Sequence, residues 1–333
     1  MEVVSLLLGG GADINQAKTT NGVTPLFIAA QNGHVEVVSI LLGGGADINQ
    51  ARTTDGATPL YIAAQKGHVE VVSLLLGGGA GINQAKDDGA APLFIAAQIG
   101  HVEVVSLLLG GGADINQTRT SNCATPLFIA AQKGHVEVTG LLLSGGADID
   151  QARTDTGATP LYIAAHNGHV EVVSLLLSRG ADVNQAKTDT GATPLFIAAQ
   201  NGHVEVVGLL LSGDADVNQA RTDTGAASLF IAAYHGHVGV VSLLLGGGAS
   251  LEQGIASGWS PLFVAAWSGH ASVVELLLGA GADNGTVTST AHLDVAAGST
   301  PLEIATDMGH IAVVEALHAS AGLLAPPANP SGS

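Results

Sequence analysis

Nine histidines each stand directly after a glycine, at His34, His68, His101, His135, His169, His203, His237, His270 and His310. A regular file of imidazoles raises the question of a metal site. If each belongs to its own structural layer, neighbours lie ~8–10 Å apart, whereas ligands that share a zinc ion sit within about 2 Å of it. Capping or hydrogen bonding inside the fold is therefore the expected role, and no metal or other cofactor is expected. Cys123 is the only cysteine, which excludes an intramolecular disulfide and a zinc site built from several thiolates. It stands where other copies of the surrounding segment have glycine and reads as a neutral thiol. No phosphate-binding glycine loop, G-x-S-x-G elbow, H-E-x-x-H or C-x-x-C pattern occurs. The expectation is a protein without catalytic machinery.

The histidines are regular because the whole chain is. A proline recurs at Pro25, Pro59, Pro92, Pro126, Pro160 and Pro194, is replaced by Ser228, and returns at Pro261 and Pro301, in steps of 33 or 34 residues with a final step of 40. The stretch from Asn21 to Asn49 shows the unit. Thr24 is a good N-cap and Pro25 fits the first helical position, so a short helix starts there, carries the LFIAA run and stops at Gly33. His34 and Glu36 open a second helix with Val35, Val37, Val38, Leu41 and Leu42 at helical spacing and Glu36, Ser39 and Gly43 along an outer stripe. This second helix is expected to be buried on most of its circumference. Glycines end it, and a polar finger leads to the next Thr-Pro. Helices this short are marginal alone, so stability must come from stacking units into a quasi-one-dimensional solenoid.

The block G-x-TPL-[FY]-IAA-xx-GHVEVV-x-LLL-xx-GADIN resembles the ankyrin repeat, and the resemblance covers the chain from Met1 to about Ala321. It implies an all-α fold, an ankyrin-repeat solenoid of stacked helix-turn-helix units with finger loops. Two features depart from the family pattern. The fourth motif position, usually histidine, is Phe27, Tyr61, Phe94, Phe128, Tyr162, Phe196, Phe230, Phe263 and Glu303, so ring packing is expected to replace inter-repeat bonding by that histidine. Most copies also carry one extra finger residue.

Nine units are expected at 12–45, 46–79, 80–112, 113–146, 147–180, 181–213, 214–247, 248–281 and 282–320, after a partial repeat at 1–11 that holds only a second helix and exposes an apolar face. Residues 321–333, ending LAPPANPSGS, read as a disordered tail. The seventh unit is degraded: Asp214 replaces a turn glycine, Ala227-Ser228 replaces Thr-Pro, and Gly239 replaces the helical glutamate. It is expected to open first. The ninth finger, Asn284 to Ser299, is about seven residues longer than the others. The opening MEVVSLLLGGGA reads as a repeat fragment and is not expected to be a signal peptide, since it recurs at His68 to Ala80 and lacks a basic n-region. Mean hydropathy of +0.40 does not imply a membrane span, because Glu and Gly interrupt every apolar run. The cytoplasm is the expected location, with the nucleus as the alternative.

Formal net charge is −18, which disfavours nucleic acid and favours a protein partner with a basic surface. Seven of the ten basic residues, Lys18, Arg52, Lys86, Arg119, Arg153, Lys187 and Arg221, share one finger position and are expected to form a solvated ladder, offset by Asp55, Asp87, Asp155, Asp189 and Asp223. After Arg221 the sequence has eight acids and no base. The resemblance implies that partners bind the concave face and finger tips, through the residue before Thr-Pro and the pair before Gly-His. That pair is polar in the early repeats apart from Ile99. In the later ones it includes His166, Tyr234, His235 and Trp267, while Trp259 precedes Ser-Pro. Trp and Tyr are enriched in binding hot spots, so repeats 7 and 8 are expected to carry the main partner site, anchored by Trp259 and Trp267; the competing reading is that these rings only shield the end of the stack. The expected function is a non-enzymatic interaction scaffold or adaptor, monomeric unless its open first face self-associates. The alternative is a regulatory or targeting segment of a larger enzyme, channel or ubiquitin-ligase adaptor.

Overall fold

A threonine hydroxyl starts most of the repeats. Thr58 is extended, and its Oγ1 accepts the Tyr61 N–H at 3.1 Å, while Pro59 occupies the first helical position, where a missing N–H costs nothing. The helix Pro59–Lys66 ends at left-handed Gly67, and the His68 N–H donates back to the Ala63 carbonyl. The second helix, Val69–Gly77, is closed the same way: Gly79 has φ +85° and the Ala80 N–H donates to the Leu75 carbonyl. In the finger before this repeat, Arg52 N–H donates to the Ala57 carbonyl and Gly56 N–H to the Arg52 carbonyl, forming a tight tip.

A computed structural model describes residues 2–290 and 295–323. Among these residues the protein is all-helical. A single helix, Glu2–Gly9, is followed by nine helix pairs, from Pro25–Gln31 and Val35–Gly43 to Pro301–Asp307 and Ile311–Leu323, with no strand beyond the single bridge residue Val295. Among them too, no helix is long and apolar enough to cross a membrane.

The chain divides into two compact units, Met1–Ala164 with Ser178–Ala181, and Ala165–Leu177 with Asp182–Ser333. Within the first, the helices Pro25–Gln31, Pro59–Lys66, Pro92–Ile99 and Pro126–Lys133 pack side by side, and the second helices form a parallel layer behind them. Within the second, Pro194–Asn201, Ser228–His235, Pro261–Ser268 and Pro301–Asp307 do the same.

The core runs through the first helices. All six residues from Pro59 to Ala64 are buried, whereas Val69–Gly77 buries only Val71, Val72 and Leu75. The expectation of a second helix buried on most of its circumference is therefore corrected. A first helix has like helices on both sides and its own second helix behind it, but a second helix is the outer layer and keeps one flank in water. The largest fully buried side chains include Phe27, Phe94, Phe128, Phe196 and Phe263, each contributing about 1.5–3 kcal/mol through burial.

Three local features bear on later points. Cys123 has φ +53° and Asp214 φ +64°, both in the left-handed region that glycine occupies at the equivalent positions of other repeats. The helix Glu2–Gly9 buries no residue, and its Val3, Leu6 and Leu7 are exposed. The last helix continues to Leu323, so residues 321–323 belong to it rather than to a tail. The rest of that expected tail, 324–333, lies outside the described residues, as do residues 291–294 of the long ninth finger.

Candidate functional site

The histidines prove to be joints between layers. In the first unit the Nε2–H groups of His68, His101 and His135 donate to the carbonyls of Gln31, Gln65 and Gln98 at 3.1, 3.2 and 3.1 Å. In the second, His203, His237, His270 and His310 bond to the carbonyls of His166, Gln200, Tyr234 and Trp267 at 3.0 Å each. A carbonyl only accepts, so Nε2 carries the proton in each bond. The ring also lies on the glycine of the preceding repeat: a Cβ on Gly33, φ +71°, would come within 2.8 Å of the His68 ring. The Gly-His pair is thus a single inter-repeat device. Among the described residues no group of three His, Cys, Asp or Glu side chains is placed to hold a metal ion.

The finger cations are also part of the joints, which corrects the picture of a solvated ladder. Arg52 lies 5.3 Å over the Phe27 ring, Lys86 5.3 Å over Tyr61, Arg119 5.8 Å over Phe94, Arg153 5.5 Å over Phe128, and Arg221 5.3 Å over Phe196. In each case the ring at the departing motif position of one repeat is covered by the cation of the next. Carboxylates hold the cations there: Arg52 pairs with Asp55 at 2.6 Å, Arg153 with Asp155 at 2.5 Å, Lys187 with Asp189 at 3.1 Å and Arg221 with Asp223 at 2.5 Å. Two pairs cross between repeats, Lys86 with Asp55 at 3.1 Å and Arg119 with Asp88 at 2.6 Å, so Asp88 rather than Asp87 is the working partner in that finger. The Arg52 hydrogen bond, assisted by Lys86, holds the Asp55 carboxyl well below the usual carboxylate range. Burial pushes the Tyr61 phenol up to about 12. Lys18 is exposed. At the equivalent position repeats 8 and 9 carry Ile255 and Thr288, whose N–H groups donate to the carbonyls of Trp259 and Ser299 as Arg52 does to Ala57.

Three accessible rings gather in repeats 7 and 8. Tyr234, at the end of helix Ser228–His235, stacks on Trp267 of helix Pro261–Ser268, with centroids 6.1 Å apart and planes 15° from parallel. His235 meets Tyr234 edge-on at 4.8 Å, and its other face stacks on His237 at 5.8 Å. Tyr234 is 38% exposed; His235 is exposed and Trp267 half-buried. Burial first, then the neighbouring His237 and His270, hold the His235 pKa below the ordinary imidazole value.

Trp259 does not join this surface. It is 2% exposed, packed against Phe263 at 5.0 Å and beneath Trp267 at 5.6 Å, so its expected role as an anchor is corrected to that of a support. The residue before Thr-Pro points inward in the other repeats too, where Val23, Ala57, Ala90, Ala124, Ala158, Ala192 and Ala226 are buried. In the same finger Gly254 leaves no room for a side chain, since a Cβ there would meet the Trp259 main-chain carbonyl oxygen at 1.7 Å. His166 also stands apart. Its exposed ring faces Asn167 Oδ1 at 3.4 Å, and its carbonyl accepts from Asn201 and His203. Asp307, exposed and at the position of its helix that Trp267 holds in the preceding one, extends the aromatic row with a carboxylate.

Paired short helices interlocked by Gly-His joints define an α-helical repeat protein. A family model described as ankyrin repeats, in three copies, matches residues 1–86, 78–153, 150–221 and 229–323. Solved structures with a significant match number 603 chains, so the fold alone singles out no partner. One is the crystal structure of the human ASB11 ankyrin repeat domain, with a TM-score of 0.57 and 32% identity over 63% of this chain and 92% of that one. No curated protein sequence matches significantly. The chain belongs to the ankyrin repeat family. Ankyrin repeats are generally protein–protein interaction modules and typically non-enzymatic.

Proposed function

We propose that this protein is a non-enzymatic interaction scaffold that binds a protein partner through the ends of the first helices in repeats 7 and 8, with Tyr234, His235 and Trp267 as contact residues. The observation that carries this reading is the stacked, accessible Tyr234–Trp267 pair. The equivalent positions in five other repeats hold Gln31, Gln65, Gln98, Gln132 and Gln200. Rings at these two places add nothing to the Gly-His joint, which uses only their carbonyls. The net charge of −18 favours a partner with a basic surface over nucleic acid.

A second reading, a targeting or regulatory segment of a multidomain protein, draws support from the solved relative, which is itself described as a domain. Affinity capture with residues 1–333 beside a Trp267→Gln variant of unchanged helical content tests the first reading. The expected outcome is a protein retained by the unaltered chain and lost from the variant. Equal capture by both would place the partner elsewhere on the array.

A further inference from the structure

The chain shows in its own joints how it binds cations. At five seams an Arg or Lys lies 5.3–5.8 Å over an aromatic ring while a carboxylate fixes it. Four of the five cations are arginines, whose planar guanidinium stacks on rings and forks onto carboxylates at once. Repeats 7 to 9 place the same two ingredients on the surface, a pair of stacked rings followed by the exposed carboxylate of Asp307. Their one Lys or Arg is Arg221, which is already engaged over Phe196 and by Asp223, so none is left for the shelf.

Resting on the proposal that this surface receives a partner protein, we infer that the Tyr234–Trp267 shelf is a receptor for an arginine side chain of that partner, with Asp307 receiving a second basic residue of the same segment. The His310–Trp267 bond at 3.0 Å sets repeat 9 directly against repeat 8, so Asp307 lies one layer from Trp267, ~8–10 Å away. An extended chain advances at most ~3.3–3.6 Å per residue, and the two basic residues therefore stand about three positions apart. The histidines around the shelf are His235, His237, His270 and His310. The last three donate Nε2–H to main-chain carbonyls, and burial, then its histidine neighbours, lowers the His235 pKa. An apolar partner residue would use the rings but gain nothing from Asp307. A lysine would be attracted by the charge but lacks a plane to stack.

The test uses the full chain and a fluorescein-labelled hexapeptide, Gly-Arg-Gly-Gly-Arg-Gly, followed by fluorescence anisotropy at low ionic strength. The same peptide with citrulline, then with lysine, at both positions serves for comparison. The expected result is saturable binding of the arginine peptide, weaker by about tenfold with citrulline. Trp267→Gln and Tyr234→Gln are each expected to lower affinity by about tenfold, with helical content unchanged because glutamine is what five other repeats carry; Asp307→Asn lowers it several-fold. Equal binding of the citrulline or lysine peptide, full affinity in Trp267→Gln, or no saturable binding up to about millimolar peptide would overturn the inference. The partner-surface proposal is judged separately, by capture with Trp267→Gln, and survives if a protein is lost from that variant whatever the hexapeptide does.

Discussion

Asp55 bears on two seams at once. It accepts Arg52 at 2.6 Å within its own finger and Lys86 at 3.1 Å from the next. Its carboxyl is held below the usual range by those bonds, so the folded state binds fewer protons than the unfolded chain once pH falls under about 4, the ordinary carboxylate value. The resulting stability is fully present above that pH and is lost as pH falls toward the depressed native value. The side chain is about a quarter exposed, which limits the effect to about 0.5–1 kcal/mol. Asp55→Asn is expected to lower the unfolding free energy from urea titration at pH 7 by that amount, the difference shrinking as pH falls below about 4; an equal difference at pH 7 and well below pH 4 would remove Asp55 from this role. The charges of the ladder were legible in the sequence, but their placement was not. Phenylalanine at the fourth motif position and a cation some 25 residues later belong to different repeats, and only stacking brings them over one another. Trp259 departs from expectation for a related reason. The resemblance implies a surface position, whereas a small apolar residue in seven other copies is the sign of burial.

Helix starts show how far one hydroxyl matters. Thr24, Thr58, Thr125, Thr193, Ser260 and Thr300 each accept an N–H three residues on, and at Thr300 Glu303 reaches back to complete a capping box. Ala91 and Ala227 make no such bond. In repeat 7 the loss is compounded, since Ser228 replaces the proline and its buried Oγ has no hydrogen-bond partner among the described residues. Ala227→Thr with Ser228→Pro is therefore expected to stabilise the protein by about 1–2 kcal/mol, from the restored cap, the removed orphan hydroxyl and the pre-set φ. A calorimetric melting temperature no higher than that of the unaltered chain would refute it. Both helices of each pair were legible, because Thr-Pro starts and Gly-His stops are local signals. Their depth was not: a run of Val and Leu says how apolar a helix is, whereas the number of like helices beside it decides how much it buries.

At the scale of the molecule, stability is distributed over many weak and similar joints, so it fails first where several substitutions coincide. Repeat 7 combines the left-handed Asp214, the uncapped Ala227 and Gly239 inside its second helix, which leaves helix Val238–Gly246 with no acidic residue in its first turn. Each costs on the order of 0.5–1 kcal/mol. Amides of residues 228–246 are expected to exchange before those of 194–212 and 261–279 in native-state hydrogen exchange; uniform protection across the three repeats would contradict this. The period, and hence the family, was open to a reader of the sequence alone, since near-identical copies force near-identical layers. The contact surface was only partly open, because Tyr234 and Trp267 lie 33 residues apart in the chain and become one shelf through the His270 bond between their helices.

The Gly-His joint has one more consequence, for how such a chain changes over generations. Each imidazole is received by a main-chain carbonyl and a bare glycine, so the seam takes no notice of which side chain sits at the acceptor position: Gln31, Gln65 and Gln98 serve as well as Tyr234 or Trp267. Excision of the one period between Pro59 and Pro92, or its duplication by unequal crossing-over, would rejoin the chain at a seam chemically equivalent to those already present. Array length and exposed lettering can therefore vary independently of foldability, and a new recognition residue can arise in a single copy while its siblings hold the scaffold constant.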